Sequence, residues 1–173
     1  MNKTIYALGF FDGVHLGHQA LIRACQALAA ETGAIPGAVT FQGHPEALTH
    51  GQAPALLNSP RDRDRLLRGF GIEKIVTLPF DEALMRTDWQ EFFFRLLKMD
   101  AAGLVCGADF RFGYRGMGDA EKLRTACAAA GIPCAVVPEQ TLDGVRVSST
   151  HIRGLLEAGD VENANRFLGH RHI

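Results

Sequence analysis

The chain has 173 residues, of which 47% are apolar and 21% charged, and its formal net charge is −1 at pH 7. This length suits one domain, which should bury about 70% of the surface that its unfolded chain exposes, and the composition excludes a disordered chain. The small net charge predicts no nucleic-acid partner and no membrane partner, although it leaves room for a local anion site.

The four cysteines, Cys25, Cys106, Cys127 and Cys134, each lie in an apolar stretch and form no C-x-x-C pair. This pattern is typical of small buried residues in a reducing compartment rather than of a disulfide framework or a zinc site. The apolar part of MNKTIYALGF is too short for a signal peptide, and no apolar run approaches the roughly 18 residues of a membrane span. We therefore expect a cytoplasmic protein.

The predicted elements alternate between strand and helix. β-Branched, aromatic and apolar runs predict strands, and apolar residues at helical spacing, with end signals such as Ser59 and Gly33, predict helices. In chain order the elements are a strand in TIYALGF, a helix in HQALIRACQALAAETG, a strand in GAVTF, a helix in SPRDRDRLLRGFG, a strand in KIVTLPF, a helix in DWQEFFFRLLKM, a strand in GLVCGADF, a helix in GDAEKLRTACAAAG and a strand in IPCAVVPE. A hairpin around Asp143-Gly144 and two short helices, STHIRGLLEAG and DVENANRFLG, follow.

The predicted strands are apolar on both faces, as the strands of a buried parallel sheet are. We therefore expect an α/β fold, a doubly wound, Rossmann-like parallel sheet with helices on both faces, formed by a single domain over residues 1–173. Ligands of such folds bind beyond the carboxyl ends of the strands. Three segments, Gly9–His18, Gly43–Pro45 and Gly107–Gly113, follow predicted strands, so they can meet in one cleft.

The stretch GFFDGVHLGH, where the first strand passes into the first helix, predicts a phosphate site. Gly9 and Gly13 allow a tight turn and a close approach of the backbone to a ligand. A helix that begins near His15 directs unpaired N–H groups at that ligand. His15 and His18 can project from the same side of its first turn and donate to an oxyanion, and Gly17 between them leaves open space over the site. The alternative is that one histidine caps the helix and the other lies on the surface.

The stretch RVSSTHIRGLL predicts a second anion clamp. Ser148, Ser149 and Thr150 supply hydroxyls and an N-cap, and the helix that follows presents free N–H groups. Arg153 lies one turn into that helix, from where its guanidinium can bind phosphate oxygens in a bidentate manner. The alternative is an ordinary capped helix with a solvated arginine.

Four motifs, GFFDGVHLGH, TFQGHP, GADFRFG and RVSSTHIR, occur in an order that resembles the adenylyltransferase module of prokaryotic bifunctional riboflavin kinase/FAD synthetases. That module belongs to the H-x-G-H nucleotidyltransferase superfamily, and the resemblance runs from Ile5 to Gly169. It implies a nucleotidyltransferase that moves AMP from ATP to FMN, giving FAD and pyrophosphate by direct in-line attack. ATP, FMN and pyrophosphate are then the partners, and Mg²⁺ accompanies ATP.

The resemblance also assigns roles to residues around ATP. His15, His18 and Arg153 would be catalytic, with the histidines at the α- and β-phosphates. Ser149, Thr150 and Arg153 would hold the leaving pyrophosphate. The residues of the loop between the first strand and the first helix would approach the nucleotide and shape the backbone turn beside it. They are Gly9, Phe10, Phe11, Asp12 and Gly13.

The flavin would be bound by His44, Pro45, Asn58, Asp109 and Phe112, with an aromatic ring stacked on the isoalloxazine. The sequence departs from the family pattern at several positions: Phe10 stands where asparagine is frequent, Gln42-Gly43, beside the expected flavin pocket, where Glu-Pro is usual, Asn58 where threonine is usual and Arg63 where lysine is common.

The chain ends FLGHRHI, where the bifunctional enzymes continue into a kinase module. We therefore expect no riboflavin kinase domain, and a separate riboflavin kinase that supplies FMN. Two alternatives remain open: an H-x-G-H transferase with another phosphorylated acceptor, and a flavin- or nucleotide-binding regulator without catalysis. Intact His15, His18 and Arg153 argue against the regulator.

Overall fold

The computed structural model describes residues 3–43 and 55–172. The strands of its main sheet are β1 (Thr4–Leu8), β2 (Ile35–Gln42), β3 (Lys74–Pro79), β4 (Ala101–Gly107) and β5 (Cys134–Val137). They lie in the order β3-β2-β1-β4-β5, and each neighbouring pair is parallel. The strand order reverses direction at β1, so the predicted doubly wound α/β fold is confirmed.

The helices of the described residues connect these strands and close the chain. They are α1 (Leu16–Thr32), α2 (Pro60–Gly69), α3 (Glu82–Met85), α4 (Trp89–Leu97), α5 (Ala120–Ala130), α6 (Ser149–Glu157) and α7 (Val161–Leu168). A short antiparallel hairpin, β6 (Thr141–Leu142) and β7 (Val145–Arg146), precedes α6.

The local end signals act as predicted. The Ser59 hydroxyl accepts a hydrogen bond from the Asp62 N–H and caps α2, and Gly33 ends α1 in the left-handed conformation. Two short elements, α3 and a 3-10 turn at Tyr114–Gly116, were not predicted because a single turn shows no periodicity. The first helix begins at Leu16, near His15 as the motif predicted and two residues before the stretch HQALIRACQALAAETG, because His15 serves as its N-cap.

β1 is buried along its whole length, and its side chains alternate between two apolar layers. Ile5 and Ala7 pack in the layer that α1 and α2 cover, whereas Tyr6 and Leu8 pack in the layer that α4 and α5 cover. A third apolar cluster joins α6 and α7 to the segment that precedes α2; it consists of Leu57, Val147, Ile152, Ala164, Phe167 and Leu168. The strand ends that border the candidate site therefore rest on packed layers on both sides.

All four cysteines are free thiols, and Cys25, Cys106 and Cys127 are buried. Burial raises the pKa of the Cys25 thiol to about 11 and that of Cys106 to about 12, so neither forms the reactive thiolate near neutral pH. Within residues 3–43 and 55–172, no helix combines the length and apolarity needed to cross a membrane.

Thr4 and Thr40 provide a matched test of this core. Both are fully buried, but Thr40 donates its hydroxyl to the Phe10 carbonyl at 3.1 Å, whereas no described residue pairs with the Thr4 hydroxyl. We expect Thr4→Val to raise the free energy of unfolding by about 1 kcal/mol, because it removes a buried hydroxyl that has no partner. We expect Thr40→Val to lower the free energy of unfolding by about 1 kcal/mol, because it removes a hydrogen bond. Urea denaturation measures both, and equal losses would contradict the unpaired state of Thr4.

Candidate active site

The loop between β1 and α1 holds an unusual backbone conformation. Phe11 and Val14 have φ angles of 57° and 44°, which residues with side chains rarely adopt, and both are fully buried. Gly13 has φ 90°, and a Cβ there would lie 2.7 Å from the Leu57 side chain. A Cβ at Gly9 would meet only ordinary contacts, so the turn itself requires glycine at Gly13 and not at Gly9.

Asp12 ties this loop to two other segments. One of its carboxylate oxygens accepts a hydrogen bond from the Leu57 N–H at 2.8 Å, and the other pairs with the Arg153 guanidinium at 2.9 Å. The Asp12 carbonyl accepts from the Ser149 hydroxyl at 2.8 Å, and Arg153 also donates to the Thr150 hydroxyl at 3.3 Å. The N-terminus of α6 is therefore fastened to the loop that leads into α1.

His15 and His18 cap α1 reciprocally. The Nδ1 of His15 accepts from the N–H groups of Gly17 and His18 at 3.1 and 3.3 Å, and the Nδ1 of His18 accepts from the His15 N–H at 3.2 Å. The two rings stack with centroids 3.6 Å apart, on the same side of the first turn. His15 thus does cap the helix, as one interpretation of the motif requires, but His18 lines a cleft rather than the open surface.

Gly17 makes room for the ring of His15. A Cβ at Gly17 would lie 2.9 Å from Cε1 of His15, closer than side chains approach in folded proteins. The ring of His15 therefore occupies the place of a side chain at Gly17, and Gly17 itself lines the same cleft as His18.

The hydrogen bonds and burial determine the protonation of both histidines. An Nδ1 that accepts an N–H carries no proton, so each neutral ring has its proton on Nε2. Burial lowers the pKa of His15 to about 4. Burial and the neighbouring His15 lower the pKa of His18 as well. Near neutral pH the pair therefore offers two Nε2–H donors without positive charge.

A main cleft of about 540 Å³ lies over the carboxyl ends of β1, β4 and β5. Its lining includes the N-terminal turns of α1 and α6. The imidazoles of His15 and His18 already accept the first N–H groups of α1, so that turn offers an anion mainly its side chains, and the N-terminus of α6 favours an anion through its dipole. Arg146 of the hairpin borders the cleft and pairs with Asp109 and with Glu139. The predicted residues that line this cleft are Gly9, Phe10, His15, His18, Asp109, Ser149 and Thr150.

A separate apolar pocket of about 470 Å³ lies toward α3 and α4. Phe10 and Phe41 contact each other at its wall, with ring centroids 4.9 Å apart. Phe112 packs against Phe92, with ring centroids 5.7 Å apart. Phe112 therefore lies here, while Asp109 lies in the main cleft, although the sequence grouped the two. Sequence reasoning missed Phe41, Phe80 and Phe92 as pocket residues. Phe41 lies within the TFQGHP motif, but Phe80 and Phe92 carry no motif that distinguishes them from core residues.

A junction pocket of about 200 Å³ lies between the main cleft and the apolar pocket. It shares His18 and Ser149 with the cleft and Phe41 with the apolar pocket, while Phe10 borders all three. Its lining also includes Asp12, Asn58, Arg63 and Arg153. His44 and Pro45 lie outside the described residues.

The low pKa of His15 predicts a pH dependence of stability. Between pH 6.5 and 4 the unfolded chain binds a proton at His15 that the folded chain does not, so the free energy of unfolding falls as the pH falls, by roughly 3 kcal/mol at pH 4. His15→Asn should remove this part of the dependence, because an amide can cap the helix without titrating. Urea denaturation at pH 7 and pH 4.5 measures the change in the free energy of unfolding. The same loss of stability in His15→Asn and in the parent would contradict the buried, neutral state of His15.

Comparison with known proteins relates this geometry to a family. The family model described as FAD synthetase matches residues 1–151. The bifunctional riboflavin kinase/FMN adenylyltransferase of Pseudomonas fluorescens is 36% identical over 169 residues, 95% of this chain and 54% of the relative. A FAD synthetase of Listeria monocytogenes is 29% identical, over 96% of this chain and 69% of the relative. This chain spans about half the length of the first curated relatives that it matches.

Two solved structures share the architecture. One, described as a macrolide-efflux protein from Streptococcus pneumoniae, has a TM-score of 0.90 and is 29% identical in sequence. The match covers 99% of this chain and 66% of the other chain. The other, a pantoate-beta-alanine ligase from Francisella tularensis, has a TM-score of 0.56 and is 13% identical in sequence. The match covers 96% of this chain and 78% of the other chain, and at this identity it shows a shared fold alone. The resemblance carried by the four motifs is thus confirmed: the chain belongs to the FAD synthetase family.

Proposed function

We propose that this chain transfers AMP from ATP to the phosphate of FMN, giving FAD and pyrophosphate. The observation that carries the proposal is the junction of three cavities around Phe10: a cleft over two helix N-termini, an aromatic pocket and a small pocket between them. A flavin nucleotide has matching parts, because its ring system is flat and apolar and its phosphate lies at the end of a polar chain.

The apolar pocket suits the isoalloxazine ring. Its volume of about 470 Å³ and its aromatic walls, which include Phe10, Phe41 and Phe112, offer stacking surfaces to a flat ring. The ring would lie away from the main cleft, so that the phosphate end of FMN points toward His18.

The main cleft suits the triphosphate of ATP. The α-phosphate would lie at the Nε2–H groups of His15 and His18, and the pyrophosphate at the N-terminus of α6 with Ser149 and Thr150. Arg153, although paired with Asp12, uses two of its N–H groups within the protein and keeps further donors for an anion.

The reaction would be a direct displacement. An oxygen of the FMN phosphate attacks the α-phosphorus of ATP, the new P–O bond forms, and the bond from the α-phosphorus to the bridging oxygen breaks, so that pyrophosphate leaves with that oxygen. No side chain needs to exchange a proton. Neutral imidazoles would stabilise the developing charge by donating hydrogen bonds, which requires a donor fixed in place rather than a titrating acid.

Magnesium would enter as part of the ATP complex. Within residues 3–43 and 55–172, no group of three or more His, Cys, Asp or Glu side chains is arranged to hold a metal ion. Mg²⁺ binds readily through substrate phosphates, water and one or two protein ligands. We therefore treat Mg²⁺ as part of the substrate. FMN would be supplied by a riboflavin kinase, the second activity that the names of several relatives carry.

The first test is an assay with ATP, Mg²⁺ and FMN, in which FAD is separated by chromatography, with riboflavin as a parallel acceptor. We expect FAD from FMN and no product from riboflavin, which lacks the attacking phosphate. FMN and ATP that bind without giving FAD would contradict the proposed reaction and favour a binding protein.

His18→Ala tests the proposed donor. We expect kcat to fall by about 10²–10³-fold, the usual loss for one donor to a developing oxyanion. His151→Ala is the matched control, because His151 also lies in a first helical turn but packs against Phe167, with ring centroids 4.8 Å apart. A His18→Ala variant as active as the parent would show that the H-x-G-H histidine has no such role.

A further inference from the structure

Three successive carbonyl groups of the loop between β1 and α1, those of residues 12–14, each contact a side chain from outside the loop. The first accepts a hydrogen bond from the Ser149 hydroxyl at 2.8 Å, and the third accepts one from the Gln19 amide at 3.0 Å. The middle carbonyl, that of Gly13, lies 2.7 Å from Nε2 of His170. His170 follows α7 and belongs to none of the four motifs of the sequence.

The ring of His170 lies between two carbonyl groups. Because a carbonyl only accepts, the contact with Gly13 requires a proton on Nε2. The Nδ1 of the same ring lies 2.7 Å from the Arg171 carbonyl, so a ring that is protonated on both nitrogens satisfies both contacts. The ring is half-buried and lies near Phe70 at the end of α2, with ring centroids 6.3 Å apart. His170 therefore connects the loop to the end of α2.

The segment that follows α7, residues 169–172, is itself held in place. Gly169 ends α7 in the left-handed conformation, and a Cβ there would lie 2.6 Å from a side chain of α1. The N–H of His172 donates to the Asn165 side chain at 2.8 Å, and Nε2 of His172 lies 2.9 Å from the Leu57 carbonyl. These contacts on both sides of His170 fix the position from which its ring reaches the loop.

The contact at Gly13 holds a peptide unit whose orientation sets the start of α1. The Gly13 carbonyl and the Val14 N–H belong to one planar unit, and this N–H donates to the Phe11 carbonyl at 3.1 Å. The φ angle of Val14 is 44°, which a β-branched residue keeps only where surrounding contacts impose it. Val14 leads directly into His15, the N-cap of α1. Rotation of this peptide unit would therefore displace the stacked imidazoles at the helix start.

We infer that His170 is a positioning residue for the proposed transfer, one that holds the Gly13 carbonyl and thereby the turn from which His15 and His18 line the cleft. This inference rests on the proposed function, because those two histidines are the proposed donors to the nucleotide phosphate. His170 is not among the residues that line the main cleft, so it acts through the loop and not on the substrate.

The first test is the kinetics of His170→Leu, which removes the donor to Gly13. We expect kcat per folded protein to fall about 10- to 100-fold, because a shift of about 1 Å in a reacting group can cost about 100-fold. The KM for ATP and for FMN should stay within about twofold, since the displaced donors act on developing charge. Arg171→Ala is the matched control, because Arg171 is exposed and the variant keeps the carbonyl beside the His170 ring.

His170→Gln separates the hydrogen bond from the shape of the ring. Its side-chain amide can donate to the Gly13 carbonyl, so we expect it to restore most of the kcat that His170→Leu loses. Urea denaturation of both variants measures their stability in parallel. A loss of stability in His170→Leu with an unchanged kcat would assign His170 to folding alone and would overturn the inference.

A double-mutant cycle tests whether His170 acts through the histidine pair. We expect His170→Leu to lower the kcat of His18→Ala by no more than about threefold, because the donor that it positions is already absent. A further fall as large as the one in the parent would show that His170 acts elsewhere, and it would overturn the inference.

Nuclear magnetic resonance of protein with ¹⁵N-labelled histidine tests the inference without any reaction. We expect the imidazole signals of His15 and His18 to shift in His170→Leu and to keep their positions in Arg171→Ala. If the parent makes FAD but the ring signals and kcat are unchanged in His170→Leu, the inference is refuted and the reaction stands. If the parent makes no FAD yet the ring signals shift in His170→Leu alone, the reaction is refuted and His170 still positions the pair.

Discussion

Asp12 fixes the relative position of the three segments that form the candidate active site. Its carboxylate holds the chain before α2 through Leu57 and holds α6 through Arg153, and its carbonyl accepts the Ser149 hydroxyl. The loop around it contains two non-glycine residues at positive φ, which persist only where surrounding contacts impose them. Through these contacts the N-termini of α1 and α6 border the same cleft, so both can act on one anion.

The two histidines show how burial sets the chemistry of a site. A protonated imidazole would attract phosphate more strongly, but it would lose the Nδ1 acceptor that caps the helix, and burial opposes its charge. The fold therefore holds both rings neutral, and both line the cleft. Their positions are set before a ligand binds, because backbone N–H groups and ring stacking hold them. Donors fixed in this way need no reorganisation as charge develops.

Most of the fold, and the two helix-start motifs that border the candidate site, could be predicted from the sequence. Strands that are apolar on both faces and alternate with capped helices predict a doubly wound sheet, and local signals such as Ser59 and Gly33 act over only a few residues. The H-x-G-H and SST motifs were predictable for the same reason, because spacing within one helical turn decides which side chains share a face. Single-turn elements such as α3 escaped prediction because they show no period.

The sequence by itself determined the strands, the helix ends and the histidine and SST motifs of the candidate site, since each depends mainly on nearby residues in the chain. Only the tertiary structure decided how distant segments meet: that Asp12 pairs with Arg153, that Asp109 lies apart from Phe112, and that Asn58 is buried with no hydrogen-bond partner among the described residues. These facts depend on contacts between residues distant in the chain. Packing alone sets such contacts, because no local periodicity or capping preference records which distant side chains become neighbours.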